Sequence, residues 1–140
     1  LGDRYALSDF AVTLTKRQRA IREKLMSIYS TSGIETPITE HVMEGFPSNE
    51  RPEAKQVLES LLTSGELVML TPQICLYRKD YDRILDAAKV HFETNDSLTL
   101  AQLRDMLNTS RKYAQALVEY FDKIHITKKG GDVHYLDQGF

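Results

Sequence analysis

The stretch RKYAQALVEYFDKIHITKKGGDVHYL, residues 111–136, changes its apolar spacing halfway along. Its first half carries one apolar helix face at i, i+3, i+4 and i+7, namely Ala114, Leu117, Val118 and Phe121. In its second half, HITK (125–128) and VHYL (133–136) flank a pair of adjacent glycines, which permit the positive φ angles of a tight turn. The stretch therefore predicts an amphipathic helix followed by a β-hairpin.

The same arrangement occurs earlier in the chain, at an offset of 60 residues. The equivalent helix face is formed by Ala54, Val57, Leu58 and Leu61. The equivalent strands are LVML (67–70) and ICLY (74–77), separated by Thr71, Pro72 and Gln73. Because the side chains themselves are hardly conserved between the copies, the repeat concerns where the core lies and not what the surface presents.

Each copy also predicts two helices upstream of the amphipathic one. The six predicted helices are 15–30, 38–45, 51–64, 80–94, 99–107 and 110–123. Thr15 and Asp80 are suited to cap the longer helices, while Pro37 and Thr99 mark the starts of the short ones. Gly65 ends the third helix as a C-terminal cap would.

A helix, a short helix, a third helix and a hairpin in each copy predict the winged-helix form of helix-turn-helix. The predicted fold class is α+β, mainly helical, with two tandem winged-helix domains at 14–78 and 79–140. Residues 1–13 fit neither copy and are interpreted as the tail of a preceding winged-helix module. Since the chain starts with Leu1 and not with methionine, we expect a fragment of a longer protein. The segment 77–82 lacks glycine and proline and predicts a short linker that could still hinge.

Composition excludes several classes of protein. No apolar stretch approaches the ~18 residues of a membrane span, and no signal peptide is visible. One cysteine, Cys75, excludes an internal disulfide and fits a reducing cytoplasm, so we expect a cytoplasmic monomer that binds no membrane. A net charge of -2 argues against a polycation that binds nucleic acid in bulk.

Charge is unevenly distributed along the C-terminal half. Residues 109–129 hold five cations against two acids, whereas residues 80–96 hold two cations against five acids. In the first copy, the charges at the start of the third helix roughly cancel and the hairpin tip is neutral. In a winged helix, the start of the third helix and the wing lie on the same side. The second copy should therefore present one basic surface, formed by Arg111, Lys112, Lys128 and Lys129.

An anion, and a phosphate in particular, is the predicted ligand of this basic surface. The N–H groups at a helix start attract an anion, and cations beside them add to the same potential. Tyr113 adjoins them with a ring for stacking and a hydroxyl for a hydrogen bond. Two cations on a first helical turn are also common on plain solvated surfaces. For the first copy, a role as a spacer between proteins is the preferred interpretation.

The stretch LAQLRDMLNTSRKYAQALVEYFDKIHITKKGGD (100–132) resembles the last winged-helix module of the bacterial selenocysteine-specific elongation factor SelB family. The resemblance implies that the two domains are the third and fourth of four such modules. It implies an RNA-binding protein whose partner is the messenger RNA hairpin, SECIS, that marks a UGA codon for selenocysteine. GTP and selenocysteyl-tRNA would bind absent upstream domains, and the full-length protein would meet the ribosome. The RNA-binding residues it implies are Ser110, Arg111, Lys112, Tyr113, Lys128 and Lys129.

No catalytic, cofactor or metal site is predicted. The chain has no phosphate-binding loop of the G-x-x-x-x-G-K-[ST] type, so we do not expect this segment to be an enzyme. The histidines lack metal-ligand spacing, although His125 and His134 could face each other across the second hairpin. Glu119 and Asp122 are interpreted as offsetting neighbouring cations. A DNA-binding transcription regulator and a protein interaction scaffold remain as alternative functions.

Overall fold

The computed structural model describes residues 14–140, so the predicted tail module at 1–13 lies outside the described residues. The helices are α1 (Lys16–Ser32), α2 (Thr39–Glu44), α3 (Arg51–Ser64), α4 (Arg78–Thr94), α5 (Leu100–Leu107) and α6 (Arg111–Lys123). The strands are β1 (Leu67–Thr71), β2 (Ile74–Tyr77), β3 (Ser97–Leu98), β4 (Thr127–Gly130) and β5 (Val133–Leu136). The predicted fold class is confirmed: three helices and a hairpin occur twice.

The two modules differ in their sheets. In the first module (residues 14–77), β1 and β2 form a two-stranded antiparallel sheet. In the second module (residues 78–140), the short strand β3 adds to the wing, giving the order β3-β5-β4. The sequence analysis missed β3 because a strand of two residues shows no alternation. None of the described helices has the length and apolar character needed to cross a membrane.

The caps follow the predictions in three cases and depart from them in two. Thr15 and Thr99 each form a capping box, in which the side chain accepts from an N–H group of the first turn. Gly65 ends α3 with φ +84°, a conformation that glycine adopts without strain. The prediction for Asp80 is wrong, because α4 begins at once after β2 and Asp80 is buried in its first turn, paired with Arg83.

The second departure is at the start of α2. Pro37 was expected to mark that start, but the N-cap is Ile38 and the helix begins at Thr39. The N–H of Thr39 donates to the carbonyl of Gln73 at the tip of the first hairpin, 2.9 Å away. The backbone of the hairpin tip therefore contacts the first residue of α2.

The first hairpin contributes to the cores of both modules. Leu67 and Cys75 are buried with the helices of the first module. Val68, Leu70, Ile74 and Leu76 are buried with Tyr81, Ile84, Leu117 and Phe121 of the second module. Successive side chains of a strand point to opposite faces, so one hairpin can be covered on both sides. The modules thus share apolar packing, and since α4 follows β2 directly there is no separate linker at 77–82.

The second wing is tied to α6 by a polar cluster under the sheet. Asp122, near the end of α6, accepts a hydrogen bond from the Thr127 hydroxyl at 2.6 Å. Its other oxygen lies 2.9 Å from Nδ1 of His134, which is buried in β5. Asp122, which was interpreted as offsetting cations, instead holds the wing, and His134, which could have faced His125, is opposite Lys129 in the sheet. His125 lies before β4 with φ +67°, and residues 14–140 contain no group of potential metal ligands.

Replacing Leu76 with alanine should destabilise the second module as well as the first. Leu76 is fully buried against the second module's core, so its truncation leaves a cavity costing about 3 kcal/mol of unfolding free energy. Urea unfolding followed by amide NMR should show one shared transition for both modules, at lower urea concentration than in the parent. Val90→Ala on the exposed face of α4 is the control and should change stability by less than about 0.5 kcal/mol. Separate transitions for the two modules would contradict a shared core.

Replacing Asp122 with alanine should loosen the wing. The change leaves Thr127 and buried His134 without their acceptor, at a cost of about 2 kcal/mol. Amide hydrogen exchange of β4 and β5 should accelerate, whereas Asp132→Ala, the same charge change on the exposed wing turn, should leave it unaltered. Asp122→Asn keeps an acceptor oxygen and should be milder. Equal effects of Asp122→Ala and Asp132→Ala would rule out the anchoring role.

Candidate nucleic-acid interface

A groove of about 280 Å³ lies between α6 and the second wing. Its α6 wall includes Arg111, Gln115 and Glu119, and its wing wall includes Lys129, Gly131 and Asp132. Residues 111, 115 and 119 are spaced by four, so they lie on one face of the helix. The helix start and the wing, which are separate in the sequence, therefore border the same concave surface, and Arg111 and Lys129 bring one cation to each wall.

Lys128 and Lys129 do not project in the same direction. Both belong to β4, where Lys128 is opposite Tyr135 and Lys129 is opposite His134. Because adjacent residues of a strand point to opposite faces, only one of the two lysines can line the groove. Lys129 does so, and Lys128 lies on the other face of the wing. The sequence analysis placed both lysines on one basic surface, but the alternation of the strand directs them to opposite faces of the wing.

Lys112 also lies outside the groove. Its Nζ atom is 5.5 Å from the centroid of the Tyr113 ring, in a cation–π arrangement. The side chains of Arg111, Lys112, Lys128 and Lys129 are all exposed. Within the described part of the chain, none of them forms an ion pair with an acidic side chain. Arg111 and Lys129 thus border the groove, while Lys112 and Lys128 carry the positive charge beyond it.

A carboxylate of the first module occupies part of the anion site at the start of α6. Oε2 of Glu35 accepts a hydrogen bond from the N–H of Ser110 at 2.9 Å and another from the Thr109 hydroxyl at 2.8 Å. Ser110 holds the N-cap position, yet its own side chain makes no capping bond to the described residues. A negative charge stabilises a helix N-terminus. Glu35 therefore already supplies part of the negative charge that the sequence analysis expected from a bound anion.

Tyr113 joins the two modules. Its side chain is half-buried, and its hydroxyl donates to the backbone carbonyl of Thr36 in the first module at 2.6 Å. Burial, and then the nearby charge of Glu35, raise the pKa of the Tyr113 hydroxyl, so it stays protonated as a donor. The Tyr113 hydroxyl, which was predicted to be available for a ligand, therefore already donates its hydrogen bond to Thr36. A contact of Tyr113 with RNA stays a prediction, and it would involve the exposed part of the ring.

The acids in the groove already have partners, with one exception. Glu119 accepts from the side-chain amide of Gln115 at 2.9 Å, and Asp122 is bound to Thr127 and His134. Asp132, on the exposed wing turn, has no ion-pair partner among residues 14–140. Gln115 could have been predicted from the sequence, since it lies one turn after Arg111. Glu35 could not, because it is remote in the sequence and no local pattern relates it to α6.

Comparison with known proteins finds relatives of this part of the chain. A sequence profile described as "Elongation factor SelB, winged helix" matches residues 90–136, which include α5, α6 and the second wing. The selenocysteine-specific elongation factor of Desulfomicrobium baculatum is 26% identical over 131 residues, or 94% of this chain. That alignment covers 20% of the relative, so the chain spans about a fifth of the curated protein it matches.

Two solved structures share the fold. The mRNA-binding domain of elongation factor SelB from E. coli, solved in complex with SECIS RNA, superposes with a TM-score of 0.71 at 21% identity. The match covers 89% of this chain and 99% of that one. A bacterial selenocysteine-specific elongation factor EF-Sec gives a TM-score of 0.63 at 19% identity, covering 88% of this chain and 20% of the other. Residues 90–136 therefore resemble the winged helix of elongation factor SelB, and residues 14–140 share the fold of the SelB mRNA-binding domain.

Proposed function

We propose that this chain binds a folded RNA hairpin, the SECIS element of selenoprotein messenger RNA, through its second module. The observation that carries the proposal is the groove between α6 and the wing. Arg111 and Lys129 border it from opposite sides, and neither is neutralised by an acidic side chain of the described residues. The SelB relative solved with SECIS RNA has the same fold, which supports the choice of ligand.

The shape of the surface suits RNA better than duplex DNA. The deep, narrow major groove of an A-form stem does not admit a helix, so sequence is recognised mainly at unpaired loop bases. A DNA-reading winged helix would place the length of α6 in a major groove. The exposed face of α6 instead carries Glu119 after Arg111 and Gln115, and a carboxylate along a duplex backbone is repelled. Cations near the helix start and on the wing are sufficient to bind the phosphates of a hairpin loop.

The phosphate contacts would gather at the first turn of α6. The N–H of Ser110 is already bound to Glu35, but the N–H groups of residues 111–113 have no acceptor within the described structure. A phosphate there would accept from these groups and from Arg111, whose guanidinium can form two parallel bonds. Lys128 and Lys129 would act as point charges on neighbouring phosphates. Gln115 and Asp132 offer hydrogen bonds to base edges within the groove.

The wider context follows from the family. We infer that residues 14–78 and 79–140 are the third and fourth winged helices of a longer cytoplasmic factor acting as a monomer. GTP and selenocysteyl-tRNA would bind other domains of that factor, and the full-length factor would bind the ribosome. The first module would then act as a spacer packed rigidly against the RNA-binding module, which fits the shared core of the two.

Removing cations from the surface should flatten the salt dependence of RNA binding. Four cations that neutralise about four phosphates predict a slope of log affinity against log salt of roughly -3. Replacing Arg111 and Lys128 with glutamine should reduce its magnitude by roughly 1.5 and weaken binding at low salt. Filter binding to a SECIS hairpin at several salt concentrations measures both effects.

Lys55→Gln is the control for this experiment, because Lys55 is an exposed cation of α3, the helix equivalent to α6 in the first module. It should leave the slope within experimental error of the parent. An unchanged slope in the Arg111 and Lys128 variant, or an equal change in the control, would exclude the proposed surface.

The chain should prefer the hairpin to other nucleic acids of the same sequence. At a single salt concentration, we expect a SECIS hairpin to bind at least about tenfold more tightly than the same sequence as duplex DNA or as fully paired RNA. Chemical-shift changes on adding the hairpin should concentrate in residues 109–132. Equal affinity for duplex DNA would favour a transcription regulator, and no binding to any of the three would favour an interaction scaffold.

A further inference from the structure

The loop between α1 and α2 carries a carboxylate from the first module to the second. Glu35 is exposed, but its two neighbours are fixed on either side. Ile34 packs against the core of the second module. Thr36 is buried, and its hydroxyl donates to the carbonyl of Cys75 in β2 at 2.8 Å. The backbone at Glu35 is therefore held between the shared core and the first hairpin, which directs the carboxylate toward the turn before α6.

Within the described residues, Glu35 provides the side-chain contacts to this turn, while the N–H groups of Asn108 and Thr109 donate to the carbonyls of Asp105 and Arg104 at the end of α5. Helix α5 ends at Leu107, its C-cap Asn108 is left-handed with φ +51°, and α6 begins at Arg111. The turn thus consists of Asn108, Thr109 and Ser110, and Glu35 binds the last two of them. The Ser110 side chain does not cap the helix, and Glu35, from another module, accepts from the N–H of Ser110, one of the N–H groups at the start of α6 that lack a partner within the helix. The contact lies one residue before Arg111, which begins α6.

We propose that Glu35 is a positioning residue for the RNA-binding surface of the second module. It holds the start of α6 so that Arg111 faces Lys129 across the groove, and it makes no contact with the RNA itself. The inference rests on the proposed function. The charge and the positioning contact of Glu35 have opposite effects on RNA affinity. A carboxylate repels nearby phosphates, so removing its charge alone should strengthen binding. Weaker binding after its removal therefore indicates the loss of the positioning contact.

One oxygen of Glu35 accepts both hydrogen bonds, which allows charge and geometry to be separated. A glutamine has one carbonyl oxygen that can accept the same two bonds without the negative charge. Glu35→Gln therefore keeps the positioning contact, and Glu35→Ala removes it. Glu23→Ala is the matched control, since Glu23 is an exposed acid on α1 of the first module and its loss changes the net charge equally.

Affinity for the SECIS hairpin is the first measurement. Loss of the net contribution of about one hydrogen bond to the turn corresponds to about a fivefold weakening of binding by Glu35→Ala. Glu35→Gln and Glu23→Ala should each bind at least as tightly as the parent, within about twofold. Binding by Glu35→Ala that equals or exceeds that of Glu23→Ala would overturn the positioning role.

Hydrogen exchange of the Ser110 amide, measured without RNA, is the second measurement. Glu35→Ala should speed this exchange about tenfold, while Glu35→Gln and Glu23→Ala should leave it as in the parent. Unchanged exchange in Glu35→Ala would overturn the proposal whatever the RNA affinities are. A parent that does not bind the hairpin would overturn the proposed function and the positioning role together. A parent that binds, with Glu35→Ala binding equally, would overturn the positioning role alone.

Discussion

The burial of the first hairpin on both of its faces is the constraint on which the rest of the structure depends. Leu67 and Cys75 complete the core of the first module, and Val68 and Leu76 enter the core of the second. If either module moved away from this hairpin, apolar surface would be exposed to water. That exposure costs about 25 cal/mol of free energy for each Å². Since α4 follows β2 without a break, the two winged helices are fixed relative to each other, and the loop that carries Glu35 can reach α6.

The electrostatics of the groove depend on which charges are already paired. Acids and bases both line it, so their numbers alone would not indicate an anion site. Asp122 is bound by Thr127 and His134, and Glu119 by Gln115, which leaves their charges partly satisfied within the module. Arg111 and Lys129 are free of such pairing among the described residues. Asp132 is also unpaired among these residues, so two free cations stand against one free acid at the groove, where we propose that a phosphate binds.

The sequence predicted most of the fold because helix faces and hairpin turns are local. The spacing of Ala114, Leu117 and Phe121 indicated α6 without reference to any other part of the chain, and Gly65 indicated where α3 ends. The errors concern residues whose roles depend on distant partners. Asp80 resembles a helix cap, but β2 runs directly into α4 and leaves no room for a capping turn there. His134 could have faced His125 across the hairpin, but β5 buries it against Asp122.

The candidate site divides in the same way. By itself, the sequence determined the tandem winged-helix fold, the cluster of cations at the third helix and wing of the second module, and the resemblance to SelB, because these follow from spacing, local charge and motif. Only the tertiary structure decided that Lys129 lines the groove while Lys128 does not, that Tyr113 binds Thr36, and that Glu35 binds the turn before α6. The reason is that strand pleat and module packing orient side chains through contacts between residues remote in the chain, and no local pattern of residue types encodes such contacts.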